Sequence, residues 1–239
     1  MPQKGDCASI AFFGGSFDPP HRGHLAVARA AQRALQLDSV LFAPVAAQPL
    51  KPLGSTASFA DRLAMTELAI QGQSGFEISL ADAPSFDGSS ISKPNYTIDT
   101  LVRLRATLPA GTRLFCLMGA DSFLSLRRWH RSSEVPFAAP LIVASRPGQR
   151  IEDIAAVLPI GLSIHAESSR SGEVELRTFT LSNETGATTP FYLLPGLEVE
   201  ISASEIRRQV SGASGRLCAG HDLLPDAVCD YIAAHGLYR

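Results

Sequence analysis

The chain predicts an α/β fold: a doubly wound parallel sheet with helices on both faces, followed by a small C-terminal helical part. Three observations carry that expectation. Short apolar runs of strand length alternate with longer segments of helical periodicity, the rhythm of strand–helix–strand units. A turn rich in glycine, proline and histidine, "GGSFDPPHRGH" (Gly14–His24), joins the first such run to the first such helix; in parallel sheets ligands bind beyond the carboxyl ends of the strands. Finally, 239 residues of which 45% are hydrophobic are enough for a single large domain with a real core.

Taken in order, "SIAFF" (Ser9–Phe13) reads as the first strand. "HLAVARAAQRAL" (His24–Leu35) reads as a helix, with Leu25, Ala28 and Leu35 on one face and Arg29, Arg33 and Gln36 on another. "SVLFAPV" (Ser39–Val45) is a second strand. The helix in "SFADRLAMTELAI" (Ser58–Ile70) opens with Ser58 and Asp61 at capping-box spacing. "FEISL" (Phe76–Leu80) is a third strand, and "YTIDTLVRLRATL" (Tyr96–Leu108) a helix between Pro94 and Pro109. "RLFCLMG" (Arg113–Gly119) and "APLIVAS" (Ala139–Ser145) follow as fourth and fifth strands. Two late helices, "SASEIRRQV" (Ser202–Val210) and "PDAVCDYIAAH" (Pro225–His235), make the C-terminal part, from about residue 201. The polar stretch Ser168–Pro190, with its alternating "EVELRTFT", breaks the rhythm and reads as an inserted hairpin or loop.

Composition narrows the function. A formal net charge of −2 gives no general attraction to nucleic acid or to an acidic membrane. Lys4 and Asp6 precede a short apolar run that leads straight into the glycine motif, which is not the pattern of a signal peptide. No apolar stretch approaches the ~20 residues of a membrane span. Cys7, Cys116, Cys218 and Cys229 are far apart and form no CxxC, so reduced thiols are expected rather than a disulfide scaffold or zinc site. The expectation is a soluble cytoplasmic protein.

The opening motif has three readings. Gly14 and Gly15 allow a tight turn and close approach to the backbone, Pro19 and Pro20 stiffen it, and Gly23 leaves room beside the helix start. His21 and His24, three residues apart, lie on one side of the first turn, so their imidazoles and the free helix N–H groups can converge on a phosphate. A metal pair is the second reading, although zinc wants three or four ligands and no third cluster accompanies the pair. A glycine turn with two incidental histidines is the third.

The motif "GGSFDPPHRGHL" resembles the signature of the nucleotidyltransferase superfamily that carries HxGH. Within it, the chain is most similar to the bacterial nicotinate-nucleotide adenylyltransferase family. "NYTIDTL" (Asn95–Leu101), "MGADSFLSLRRWH" (Met118–His130), "SRPG" (Ser145–Gly148), "ISASEIR" (Ile201–Arg207) and "LLPDAVCDYI" (Leu223–Ile232) extend the resemblance in the expected order over most of the chain except 168–190. It implies a Rossmann-like fold and transfer of AMP from ATP to nicotinate mononucleotide, with Mg²⁺ bound mainly through the ATP phosphates and no dedicated metal site. Nicotinamide mononucleotide or phosphopantetheine is the alternative acceptor, and a nucleotide-binding sensor without catalysis the alternative class. No nucleic acid or membrane partner is implied, and a homo-oligomer is compatible with it.

The resemblance also implies roles for individual residues. His21, His24 and Arg207 would carry catalysis. Gly14, Gly15, Ser16, Phe17, Asp121 and Ser204 would meet ATP; the family usually has Thr where Ser204 stands, and the hydroxyl is kept. Taken by themselves, Ser204 reads as the N-cap of an ordinary helix and Asp121 as another N-cap. Trp129, the only tryptophan, would stack on the pyridine ring instead of filling a core, with Tyr96 and Thr97 beside the ring and its carboxylate. Arg146 and Lys51 would contact the mononucleotide phosphate, although the loop around Lys51 departs from the usual form of the family.

Overall fold

The computed structural model describes residues 7–50, 54–84, 94–145, 151–170, 174–195, 202–212 and 223–239. In chain order the elements are β1 (Ser9–Gly15), α1 (Arg22–Leu35), β2 (Ser39–Pro44), α2 (Phe59–Ile70), β3 (Phe76–Ile78), α3 (Thr97–Thr107), β4 (Arg113–Gly119), α4 (Ala120–Leu124), a 3-10 turn (Leu126–Arg128), α5 (Val135–Ala138), β5 (Leu141–Ala144), α6 (Ile151–Val157), β6 (Leu162–Arg170), β7 (Leu176–Asn183), β8 (Thr188–Leu194), α7 (Ala203–Gly212) and α8 (Asp226–His235).

The strands lie in the order β3-β2-β1-β4-β5-β8-β7-β6. The pairs β1–β4, β4–β5 and β5–β8 are parallel, whereas β7 runs antiparallel to both β6 and β8. The order reverses between β1 and β4, the switch point of a doubly wound sheet. The expected parallel sheet therefore carries an antiparallel margin. That margin absorbs the stretch 168–190, which runs from the end of β6 through β7 into β8. Arg177–Ser182 of β7 pair with Thr188–Leu193 of β8, and Phe191–Leu194 of β8 pair with Leu141–Ala144 of β5, so the stretch forms antiparallel hairpin strands joined to the edge of the main sheet.

Contacts divide the chain into two compact units. One comprises Met1–Phe13, Val27–Leu41 and Tyr96–Glu198; the other comprises Gly14–Ala26, Phe42–Asn95 and Val199–Arg239. The sequence reads as one domain with a C-terminal helical part. Each unit instead gathers three separated segments, a division that no change of composition along the chain marks.

In the first unit, Phe115–Met118 of β4 and Leu141–Val143 of β5 are at most 3% exposed. Such continuous apolar runs suit strands covered on both faces. Phe191 of β8 packs its ring between Phe123 and Phe179, with centroids 5.5 and 6.0 Å away. In the second unit α2, α7, α8 and the chain end share a core of Met65, Ile206, Val210, Val228, Ile232 and Tyr238. The late helices are thus packed on α2. The Ser58 hydroxyl caps α2, accepting from the Asp61 N–H at 3.1 Å, and α8 ends on Gly236 at φ +62°, the left-handed conformation that glycine adopts without penalty.

Among the described residues no helix is long and apolar enough to cross a membrane. Cys7 and Cys116 are free thiols. Cys229 on α8 is disulfide-bonded, contrary to the expectation of reduced thiols throughout; pairing depends on which sulfurs folding brings together, which spacing along the chain does not reveal.

Candidate active site

The second unit holds the glycine–histidine turn. After β1 the chain turns through Phe17 at φ +47°, a left-handed backbone unusual for a bulky residue. The Phe17 side chain folds back and is 2% exposed. A Cβ on Gly15 would come within 3.2 Å of that ring, so the need for glycine at 15 arises from the protein's own packing. The same ring stands edge-on to His24, with centroids 4.9 Å apart. Phe17 is therefore a buried wedge behind the histidines, and any nucleotide contact it makes is through its backbone. The Ser16 hydroxyl donates to Gln48 Oε1 at 3.2 Å.

His21 and His24 stack, with ring centroids 3.7 Å apart and planes at 29°. The His21 backbone N–H donates to His24 Nδ1 at 3.2 Å. An accepting Nδ1 is unprotonated, so the neutral His24 ring carries its hydrogen on Nε2. Burial pushes the His21 imidazole down to about 4. His24 is held well below the ordinary histidine range by burial and by the neighbouring His21. Both rings are neutral at neutral pH and offer N–H donors, not positive charges. His21 is 6% exposed, and its Nδ1 has no hydrogen-bond partner among the described residues.

Positive charge comes from Arg207, on the second turn of α7. Its Nη1 donates to the Asp18 carbonyl at 2.6 Å and its Nη2 to the Ser204 hydroxyl at 3.1 Å. Ser204 lies inside the helix and is not its cap. The cap is Ser202, whose hydroxyl accepts from the Glu205 N–H at 3.1 Å. The spacing Ser202-x-x-Glu205 is itself a capping-box pattern and identifies the start of the helix. Ser204 is thereby freed to face Arg207.

Three residues beneath this cluster escaped the sequence reading. Asp18 is 4% exposed. Its carboxylate accepts from the N–H groups of Thr56 (2.6 Å) and Ala57 (3.0 Å) and from the Tyr238 hydroxyl (2.8 Å). Arg62, 2% exposed, donates to the carbonyls of Ser16 (2.6 Å) and Ala57 (3.3 Å). Tyr238 is the third. A signal existed for Arg62: it lies on the same helical stripe as Met65 and Ala69, and a charge on an apolar stripe needs buried partners. Asp18 stands inside the glycine–histidine motif, but nothing local pairs it with Tyr238, 220 residues away.

The first unit holds the aromatic residues. Tyr96 precedes α3 and Thr97 is its first residue; Tyr96 makes no side-chain cap. The Tyr96 ring packs on His130, with centroids 4.4 Å apart. Trp129, just past the 3-10 turn, is half-buried, and its indole N–H donates to the Ser125 hydroxyl at 3.0 Å. Arg131 holds this loop by a two-pronged bond to Glu134 (2.8 and 2.6 Å) and an ion pair with Asp99 on α3 at 3.6 Å. Asp121 is exposed in the first turn of α4; the cap position belongs to Gly119, so the N-cap reading of Asp121 fails. A Cβ at Gly119 would meet nothing within 4 Å. Arg146 and Lys51 lie outside the described residues.

The chain matches the family model described as cytidylyltransferase-like over residues 12–209. It is 36% identical over 230 residues to a "Probable nicotinate-nucleotide adenylyltransferase" of Solibacter usitatus, covering 96% of this chain and 99% of that one. A protein of the same name from Stenotrophomonas maltophilia is 38% identical over 232 residues, covering 95% and 96%. The fold is similar to that of the Plasmodium falciparum nicotinic acid mononucleotide adenylyltransferase complexed with NaAD, with a TM-score of 0.68 at 18% identity and 97% of both chains covered. The same Plasmodium enzyme complexed with APC gives a TM-score of 0.65 at 19% identity. With relatives this similar over nearly their whole length, the chain belongs to the nicotinate-nucleotide adenylyltransferase family of cytidylyltransferase-like nucleotidyltransferases.

Proposed function

We propose that this chain transfers AMP from ATP to nicotinate mononucleotide in NAD biosynthesis, giving deamido-NAD and pyrophosphate. A phosphate oxygen of the mononucleotide attacks the α-phosphorus. A new P–O–P bond forms, the bond from the α-phosphorus to the bridging oxygen breaks, and its electron pair leaves with pyrophosphate. No protein nucleophile takes part, because the attacking oxygen is already anionic. The enzyme's contribution is positioning and stabilisation of developing charge.

The observation that carries this reading is the stacked, neutral histidine pair. With Nδ1 of His24 occupied by a backbone N–H, Nε2 is a fixed donor for an α-phosphate oxygen, and His21 adds a second. Neutral donors suit a site that must stay stable while empty, since two imidazolium ions stacked side by side would repel. Arg207 and Ser204 supply charge and a hydroxyl for the β and γ phosphates, with Gly14, Gly15, Ser16 and Asp121 meeting other parts of ATP. Mg²⁺ enters on the triphosphate. Asp18, the carboxylate in this cluster, already accepts three hydrogen bonds, so the ion's ligands would come chiefly from phosphate oxygens and water.

For the acceptor, Trp129 offers a half-exposed π-face and Thr97 a hydroxyl at the start of α3, an 11-residue helix. The positive end of a helix dipole favours a carboxylate over a neutral amide. Tyr96 borders the same site, and Arg146 and Lys51 hold the mononucleotide phosphate. The setting is cytoplasmic, with no nucleic acid or membrane partner. The test is pyrophosphate release from ATP and Mg²⁺ with nicotinate and nicotinamide mononucleotides offered in parallel. Strong preference for the acid is expected. Preference for the amide would overturn the ring assignment, and release with neither would overturn the reaction.

A further inference from the structure

Asp18 is the point on which the second unit's polar network converges. It sits between the glycine turn and His21, yet it is buried and fully engaged. Its carboxylate binds two backbone N–H groups ahead of α2 and the hydroxyl of Tyr238, the next-to-last residue of the chain. Arg207 reaches the same residue twice: Nη1 donates to its carbonyl at 2.6 Å and lies 3.8 Å from Oδ2. Tyr238 therefore touches neither histidine nor Arg207 directly in these bonds, but shares with Arg207 a single buried acceptor.

That arrangement is costly unless it serves something. The Tyr238 side chain enters the core shared by α2, α7 and α8 and is 9% exposed. Its backbone is left-handed, at φ +61°, where a non-glycine residue is strained. The Tyr238 side chain is turned inward and places its hydroxyl on one oxygen of the Asp18 carboxylate, at 2.8 Å. The bond fixes Asp18 Oδ1, and a fixed Asp18 leaves Oδ2 and the carbonyl at a defined place for the guanidinium. Arg207 has a side chain 28% exposed, so it is open to a ligand on one side and braced on the other.

We propose that Tyr238 is a positioning residue for ATP: its hydroxyl, acting through Asp18, holds the Arg207 guanidinium in the orientation that receives the triphosphate. The segment that follows α8 is thus part of the phosphate-binding apparatus. The proposal rests on Arg207 being the phosphate arm of the function given above, and it is independent of which mononucleotide accepts AMP.

The test is a double-mutant cycle on the full-length chain, read as affinity for ATP with Mg²⁺ by calorimetry and as KM for ATP. Tyr238→Phe removes the hydroxyl and keeps the ring in the core. It should weaken ATP binding about tenfold, within the range by which a residue that does not touch the ligand alters its binding through intervening groups, and leave KM for the mononucleotide unchanged. Arg207→Ala should weaken it further, and in that background Tyr238→Phe should have no additional effect. Equal losses in both backgrounds would overturn the proposal, as would a Tyr238→Phe enzyme with reduced thermal stability but unchanged ATP affinity. Wild-type protein that binds ATP yet releases no pyrophosphate with any mononucleotide would defeat the functional reading alone. Coupling between Tyr238 and Arg207 would still stand in that case. Wild-type protein that does not bind ATP would overturn both.

Discussion

The two clusters of candidate residues are built on opposite principles. Around His21 and Asp18 polar groups are buried and bonded to the protein itself: a backbone N–H on His24, three donors on Asp18, two carbonyls on Arg62. Around Trp129 the groups are flat rings at partial exposure, and one hydrogen bond, to Ser125, orients the indole. On the function proposed above, the difference follows from the chemistry each cluster would serve. Charge that shifts during a reaction is stabilised best by dipoles already fixed in place, because they need no reorganisation as the barrier is crossed. A ring that must bind and leave needs an accessible face and little more. The first cluster should therefore govern turnover, and the second affinity for the acceptor.

The largest effect tests that division directly. His24→Ala removes the fixed Nε2 donor, and losing one such donor costs on the order of 10²–10³ in kcat. The thermal midpoint should move little, because His24 is half-buried and the Phe17 ring remains in its place. Pyrophosphate release and a melting curve on the same preparation decide it. A drop in midpoint as large as the drop in turnover would make His24 a packing residue and erase the contrast.

The second effect concerns stability and pH. His21 has a folded-state value of about 4, below the ordinary 6.5. Between those values the unfolded chain binds a proton that the folded chain does not, so stability rises with pH across that window. Its contribution is complete above pH 6.5 and falls away as the pH drops toward 4. The full effect is about 3 kcal/mol. Denaturant unfolding from pH 7 to 4.5 should show that slope, and His21→Gln, which cannot titrate, should lessen it, the remainder coming from His24, which is also held low. A slope unchanged in the variant would mean that other groups set the acid sensitivity. No comparable slope is expected from substitutions in the aromatic cluster.

The two clusters also differ in how far the sequence disclosed them. The strand–helix rhythm placed β1, α1, β2, α2, α3, β4 and β5, because each has a continuous apolar run or a helical stripe. The Ser58–Asp61 spacing marked a cap that forms. The histidine pair was visible because its residues are neighbours in sequence. What supports that pair was not: Asp18, although it lies inside the motif, is joined to Arg62 and Tyr238 only by folding, and nothing in the sequence names its distant partners. The short helices α4 and α5, of five and four residues, span too few turns to show a period. β7 showed as the alternating run within the stretch read as a hairpin or loop, but its place in the main sheet did not, because pairing with β6 and β8 is set only by folding. Ser204 was misplaced as a cap because two serines compete there, and only the glutamate three residues after Ser202 separates them.

The smallest effect falls on the aromatic side and sharpens the comparison most. Trp129→Ala takes away a π-face while its indole bond to Ser125 is a single, partly exposed contact. Stacking of this kind is worth about 1–3 kcal/mol, so KM for nicotinate mononucleotide should rise roughly five- to 150-fold. Turnover at saturating acceptor should be nearly kept, since interactions equal in ground and transition states affect KM and not kcat. Trp129→Phe, which restores a smaller face, should recover part of the loss. Steady-state kinetics with each substrate varied in turn gives the answer. If kcat fell with KM unchanged, Trp129 would be aligning the attacking phosphate as well as holding the ring, and the line between the turnover cluster and the affinity cluster would have to be redrawn through it.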